Sequence, residues 1–334
     1  MKEKEAKITF VMPAYNVEKY ISVAVNSIKS QVVENWELVI VDDCSTDQTL
    51  SIAEDLAKGD DRIRVISMPK QSGGCYLPLK KGVLTATTEF VSPLDADDFI
   101  EPDYLLNLLN VAEETKADTV FPCMYNWDGE RIELKSQVSN EIFNRAVEGR
   151  NAVRYALDGW KIHCNGGLIR RSVYLKSFDM IDEENEVLKS YIDEYLTRLI
   201  LFNSSKVCVT GEKYYYRVHP ASVTRAKDFR AFGFLGNNLR LLNMIEKYYP
   251  ENSEEYKLVQ RQNFHCIFDT WRLMRNISLS PEEKDEVNKV LSNCMDKLDF
   301  NVLRGNVSKN YFRLMRLPVP IAKTLLALID KVKA

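Results

Sequence analysis

The first third of the chain alternates short, nearly unbroken apolar runs with amphipathic stretches. Ile8-Thr9-Phe10-Val11-Met12 precedes a helical face of Val17, Ile21, Ala24, Val25 and Ile28, and Trp36-Glu37-Leu38-Val39-Ile40-Val41 follows. A second helix is predicted from about Asp47, then a strand over 63–66, a helix over 77–86 and a strand over 90–94. Uninterrupted apolar strands separated by helices predict a parallel sheet covered on both faces. Ligands of such sheets bind beyond the carboxyl ends of the strands, near the point where strand order reverses. Over 119–139 the pattern becomes polar and strand-like, with Asp128-Gly129 as a hairpin turn. A helix over 148–157, a segment around 163–171, a helix over 187–202 and strands at 206–209 and from Lys213 come next. Beyond Ala226 the pattern is helical, with helices over 229–248, 254–274 and 281–298.

With 334 residues, 45% of them hydrophobic, the chain can build one large core or two smaller ones. A net charge of −3 argues against a nucleic-acid partner, whose phosphates call for a basic surface. Residues 1–7 hold no apolar run and no uncharged stretch is long enough to span a bilayer, so the expected address is the cytoplasm. The seven cysteines show no CxxC spacing, which fits a reduced compartment and thiols used mainly for packing.

Chemistry concentrates at three strand ends. Phe90-Val91-Ser92-Pro93-Leu94 runs into Asp95-Ala96-Asp97-Asp98. Crowded carboxylates repel one another unless a hard cation such as Mg²⁺ or Mn²⁺ neutralises them, and such an ion carries substrate phosphates. The first strand ends in Pro13-Ala14-Tyr15-Asn16 and the second in Asp42-Asp43-Cys44-Ser45-Thr46-Asp47.

These motifs, taken in order with Tyr215-Tyr216-Arg217-Val218-His219-Pro220-Ala221-Ser222-Val223-Thr224, resemble those of family 2 glycosyltransferases of the GT-A fold over roughly residues 7–225. The resemblance implies a Rossmann-like, mostly parallel α/β sheet flanked by helices. It divides the chain into a catalytic domain over 1–225, with a nucleotide-binding part (1–118) and an acceptor-side part (119–225), and a helical region over 226–334. It further implies an inverting enzyme that uses a divalent metal, Mn²⁺ or Mg²⁺, to move a sugar from a nucleotide diphosphate, commonly a UDP-sugar, to a hydroxyl of a saccharide or lipid-linked saccharide. Many members assemble bacterial surface polysaccharides.

By the same resemblance Asp97 is the metal ligand and His219 reaches the metal or diphosphate, with Arg217 assisting. Asp95 lies at the ribose or at metal-bound water, beside Ala96. Asp98 stays open between a ligand role and capping the helix that Pro102 begins. The nucleoside is expected over Pro13, Ala14, Tyr15 and Asn16, with the Tyr15 ring for stacking and Asp43 accepting from the uracil imide. Asp42 and Asp47 read as a loop hydrogen-bond acceptor and a helix cap. Glu18 is open between helix-start charge and donor contact. Over 71–82 the family's Asn and Arg-Asn positions hold Ser72, Leu79 and Lys80; Gly74 and Lys80 are the donor-site candidates there, with Lys81 and a solvated lysine face as the alternatives to Lys80. The base is expected in Asp193-Glu194, with Asp193 the first choice. Trp160 and His163 border the expected acceptor side. The final segment sets Ile321, Leu325, Leu328, Ile329 and Val332 against Lys323, Lys331 and Lys333, which suits a membrane surface, the catalytic domain or a homodimer partner. Two competing readings are a degenerate nucleotide- or sugar-binding module and a nucleotidyltransferase; the latter ordinarily opens on a Gly-rich phosphate loop, which Pro13-Ala14-Tyr15-Asn16 is not.

Overall fold

The computed structural model describes residues 8–135, 138–159, 162–182, 188, 192–219, 228–315, 317, 319–320 and 322. Trp160, the end of the Arg217 motif from Pro220 on, and the apolar face predicted from Ile321 to Val332 lie outside the described residues.

The chain divides into two units, Met1–Glu183 with Ile192–Ser222, and Glu184–Tyr191 with Val223–Ala334. The described residues of the first unit form ten strands: β1 (Ile8–Ala14), β2 (Trp36–Asp42), β3 (Ile63–Ser67), β4 (Phe90–Pro93), β5 (Phe99–Ile100), β6 (Thr119–Trp127), β7 (Ile132–Leu134), β8 (Val147–Glu148), β9 (Leu168–Arg170) and β10 (Lys206–Arg217). Its helices are α1 (Ile21–Lys29), α2 (Thr49–Ala57), α3 (Tyr76–Thr85), α4 (Tyr104–Thr115), α5 (Gly149–Leu157), α6 (Arg171–Phe178) and α7 (Ile192–Asn203).

The sheet runs β3-β2-β1-β4-β9-β6-β10-β5, with β7 beside β6 and β8 beside β10. β1 pairs in parallel with β2 and β4, β2 with β3, and β6 with β10. β9 is antiparallel to both β4 and β6, so all six parallel strands point the same way. Their carboxyl ends therefore share one edge, and the loop entering β9 starts at that edge too. Every strand-end motif of the sequence converges there.

The apolar runs explain the layering. Ile8, Phe10, Val11 and Met12 of β1 and Leu38 to Val41 of β2 are buried on both faces. α3 approaches β1 so closely that a Cβ on Gly82 would lie 2.2 Å from Val11 Cγ1, so the helix contacts the strand through a residue without a side chain. The hairpin expected at Asp128-Gly129 joins β6 to β7, with Gly129 at φ 106°. The runs expected at 206–209 and from Lys213 form one strand, because β10 absorbs an irregularity between Val209 and Lys213 without leaving the sheet.

The second unit contains α8 (Gly233–Tyr248), α9 (Glu254–Asn276), α10 (Pro281–Asp296), α11 (Phe300–Leu303) and α12 (Lys309–Met315). The helix expected from Phe229 starts instead as a 3₁₀ turn over Phe229–Phe232, where the Asp228 carboxylate accepts the Arg230 N–H, and α8 begins at Gly233. α10 opens on a capping box, Ser280 with Glu283, and places Pro281 in its first turn. Asn238 donates to Asn263 at 2.8 Å and Asn263 to the Cys294 carbonyl at 2.7 Å, so both amide groups find acceptors inside the helix cluster.

Candidate functional site

The turn after β4 folds three carboxylates together: ligating oxygens of Asp95, Asp97 and Asp98 all lie within 4.8 Å of one another. Each carboxylate is held from a different element. Asp98 is buried and does not cap α4, which starts beyond Asp103; it accepts the Tyr214 hydroxyl at 2.6 Å and the Arg217 backbone N–H at 2.8 Å. Asp97 meets His219 Nε2 at 2.9 Å, and its carbonyl accepts Arg217 Nε at 2.7 Å. Asp95 accepts from the Asn165 side-chain amide, while its backbone N–H donates to the Tyr214 hydroxyl at 3.2 Å. Ala96 between them is buried, with its side chain in the core.

Arg217 and His219 sit among rings. The Arg217 guanidinium carbon lies 4.3 Å from the Trp127 ring centre and 5.0 Å from that of Tyr20, and His219 packs on Tyr20 at 4.9 Å. Cation–π contact and two hydrogen bonds fix this arginine beside the acidic turn.

At the ends of β1 and β2 much of the predicted donor set stitches loops together. Asn16, at φ 51°, accepts the Thr46 N–H at 2.8 Å, Glu18 accepts the Gln48 N–H at 3.0 Å, and Asp47 accepts those of Glu18 at 3.2 Å and Thr49 at 2.9 Å. Asn16 and Glu18 are thus committed by their side chains to loop geometry. Asp42 accepts the Ser45 N–H at 3.2 Å, as a loop residue should. The Ala14 carbonyl accepts the Asp43 N–H at 2.8 Å and Pro13 is half-buried beside it, which leaves the Tyr15 ring 40% exposed at the rim. Asp43 is buried, and burial raises its carboxyl above the usual range although Ser72 donates to it twice, through N–H at 2.9 Å and hydroxyl at 2.8 Å. Ser72, in place of the family's Asn, therefore orients the predicted base-reading carboxylate. Gly74 is open to solvent, whereas the Lys80 ammonium lies 5.6 Å from the centre of the Phe178 ring on α6.

The remaining carboxylate comes from the start of α7. Asp193 is only 15% exposed and its Oδ2 meets His163 Nε2 at 2.5 Å, while Glu194 beside it is exposed. Of the predicted pair, Asp193 alone faces inward. Sequence reasoning set His163 on the acceptor side and missed its bond to Asp193. Asn165, Tyr214 and Tyr20 are not among the residues expected at the site, and Cys75, expected to pack, lies near Asp193. No local pattern announces these residues; only the entry of β9 from the site edge brings His163 and Asn165 there.

The profile of the glycosyl transferase family 2 matches residues 9–178, half of the chain. The chain belongs to glycosyl transferase family 2. Among curated relatives it is 30% identical over 212 residues to TarS of Staphylococcus aureus, a poly(ribitol-phosphate) β-N-acetylglucosaminyltransferase, covering 63% of this chain and 35% of TarS. It is 27% identical over 238 residues to glycosyltransferase GlyG of Streptococcus pneumoniae, covering 66% of this chain and 73% of GlyG. The crystal structure of S. aureus TarS 1–349 in complex with UDP-GlcNAc superposes with a TM-score of 0.69 at 23% identity, over 95% of this chain and 88% of that one, and so shares the GT-A fold. A mannosyltransferase of Pyrobaculum calidifontis, solved with GDP-Man and Mn²⁺, superposes with a TM-score of 0.54 at 15% identity over 98% and 88% of the two chains.

In this family 2 chain the site is electrostatically divided. Burial, then the Asp97 charge, pushes the Asp95 carboxyl up to about 7, and burial with both neighbours pushes Asp98 well above the carboxylate range. Burial also acts to raise Asp193, but donation from His163 overcomes it and holds that carboxyl low. Asp95 and Asp98 are pushed toward the neutral form despite Arg217 and His219 nearby, whereas the Asp193 carboxylate is kept ionised.

The hard oxygen donors of Asp95 and Asp97, with His219 alongside, fit a divalent cation of the Mg²⁺ or Mn²⁺ type. Gly166 supports this wall: it has φ 73°, and a Cβ there would lie 2.4 Å from Tyr214 Cδ2 and 2.6 Å from the Tyr104 hydroxyl. Gly166→Ala is expected to cost about 1–3 kcal/mol of stability in a urea titration, from strain plus overpacking.

Proposed function

We propose that the protein is an inverting glycosyltransferase that moves a sugar, hexosyl or N-acetylhexosaminyl, from a UDP-sugar to a hydroxyl of a saccharide or lipid-linked saccharide, in the synthesis of a bacterial surface polymer. The observation that carries this reading is the pairing at one sheet edge of a carboxylate cluster in need of a cation with a separate, ionised carboxylate at Asp193. The UDP and UDP-GlcNAc complexes of TarS support the choice of nucleotide.

The roles follow from chemistry. Asp97 and His219 hold the divalent ion, with Asp95 beside them; when bound, that ion offsets the charge that develops on the departing diphosphate. Arg217 keeps the acidic turn in shape. Asp43 accepts from the uracil imide, and the Tyr15 ring covers the base. Asp193 accepts the acceptor's hydroxyl proton as the oxygen attacks C1 from the face opposite the diphosphate; the C1–O bond to phosphate breaks and UDP leaves. His163 borders this side. A cytoplasmic address suits a nucleotide-sugar user, and no helix among the described residues is long and apolar enough to cross a membrane.

The test is a panel of nucleotide sugars incubated with protein and Mn²⁺, with UDP-GlcNAc first, reading nucleotide release. Release from one UDP-sugar that stops on chelation supports the reading. UDP binding by calorimetry without release from any donor, even with polyol-phosphate or saccharide acceptors added, would favour the degenerate binding module.

A further inference from the structure

One short loop ties the acceptor side of the site to the donor side. Residues 162–167 run from α7 to the carboxyl end of β4. On α7, Arg198 Nη1 donates to the Ile162 carbonyl at 3.2 Å. The Thr197 hydroxyl accepts the Cys164 N–H at 3.0 Å and donates to the Asp193 carbonyl at 2.9 Å. At β4, the Gly166 N–H donates to the Pro93 carbonyl at 2.6 Å, and the Gly166 carbonyl accepts the Tyr104 hydroxyl at 2.6 Å. The loop is anchored at both ends before any catalytic side chain is considered.

Its two polar side chains point at the two halves of the site. The Asn165 backbone N–H donates to His163 Nδ1 at 3.2 Å. Burial acts to lower the His163 imidazole, but Cys164 and the bond to Asp193 raise it well above its ordinary range, so Nε2, which faces Asp193 Oδ2 at 2.5 Å, carries a proton whether the ring is neutral or charged. The Asn165 side-chain amide donates in turn to Asp95 Oδ2. The result is an unbroken series, Asp193, His163, Asn165, Asp95, in which each donor has one acceptor.

We propose that His163 and Asn165 are positioning residues: His163 fixes the orientation of the Asp193 carboxylate, and Asn165 ties that orientation to Asp95 on the donor side. The inference rests on the reading of Asp193 as base and Asp95 as a donor-side group. By holding Oδ2, His163 leaves Oδ1 to take the acceptor proton. The same donation weakens Asp193 as a base, which is worth accepting only if orientation limits the rate more than basicity. The groups facing Asp193 are His163 on the loop, Cys75 at the start of α3, and Arg198 on its own helix, with the Asp95 charge farther off.

The test compares His163→Ala, His163→Gln, Asn165→Ala and Asp193→Asn, with UDP-GlcNAc, Mn²⁺ and water as the acceptor. His163→Ala is expected to lower kcat for UDP release about 10²-fold, the cost of a misplaced catalytic group, with KM and Mn²⁺-UDP affinity unchanged. His163→Gln, whose amide reaches the same place, recovers most of the loss, a rescue that a purely structural role would not show. Loss of the donor raises the Asp193 carboxyl, so the acid limb of kcat/KM moves to higher pH in His163→Ala. Asn165→Ala lowers kcat and weakens donor binding together. Full activity in His163→Ala beside a dead Asp193→Asn would overturn the positioning role and leave the base reading standing; full activity in Asp193→Asn would overturn the base reading itself. A second readout needs no turnover. With ¹⁵N-histidine, a protected downfield Nε2–H, assigned by its absence in His163→Gln, is expected in the wild type and lost in Asp193→Ala, and no such signal overturns the proposal.

Discussion

Asp193→Asn is expected to lower the rate of transfer, read as UDP release at saturating UDP-GlcNAc, by about 10²–10⁴-fold, the usual contribution of a general base. The substitution preserves shape and still accepts from His163 Nε2, so the fold and the loop over 162–167 should survive it. What disappears is the anionic oxygen that takes the acceptor's proton. Calorimetric titration with UDP and Mn²⁺ should therefore give wild-type affinity, placing the loss in the chemical step. Glu194→Gln is the necessary companion, because the sequence places Glu194 close behind Asp193 as a candidate base. Glu194 is exposed while Asp193 is enclosed, and a large loss confined to Asp193→Asn is the expected outcome. An equal loss in both would mean that the site orders α7 differently when acceptor is bound.

Asp97→Ala acts at the other end of the reaction. A divalent ion held by Asp97 and His219 would offset the charge on the departing diphosphate by several kcal/mol, so turnover should fall by about 10³-fold or more. Unlike the base variant, this one should also abolish the Mn²⁺-dependence of UDP binding. It leaves His219 without the carboxylate it now meets, and the surrounding Tyr20 and Arg217 contacts remain to hold the wall. Mn²⁺-dependent UDP binding retained in Asp97→Ala would remove Asp97 from the metal site. A raised melting temperature on adding Mn²⁺ to the wild type, absent in the variant, is the simplest first measurement, since ligands that bind only the folded state stabilise it by mass action.

Much of this was legible in the chain. Unbroken apolar runs such as Leu38-Val39-Ile40-Val41 bury both faces of a strand and so call for a parallel sheet, and strand ends rich in Asp mark the edge where its ligand binds. The acidic turn at Asp95, Asp97 and Asp98 is a local feature, and its residues come together because they are near neighbours in sequence. That His219 reaches the metal or diphosphate was expected only through the family resemblance; its direct contact with Asp97, across 122 positions, is seen only in the structure.

Tertiary structure alone decided the rest. Asn16, expected under the nucleoside, and Glu18, open between helix-start charge and donor contact, close loops with their side chains, because neighbouring strand ends of a parallel sheet must satisfy their backbone N–H groups across the gap between them. Asp193 and Glu194 are adjacent carboxylates, and the sequence ranks Asp193 first only through the family resemblance. The turn of α7 carries one inward and the next outward, and only then does burial beside His163 separate them chemically. The antiparallel insertion of β9 between β4 and β6 has no signature in composition or pattern. It nevertheless delivers His163 and Asn165 to the site, because the direction of a strand sets which edge its entering loop occupies, and strand direction is fixed by partners far away in the chain.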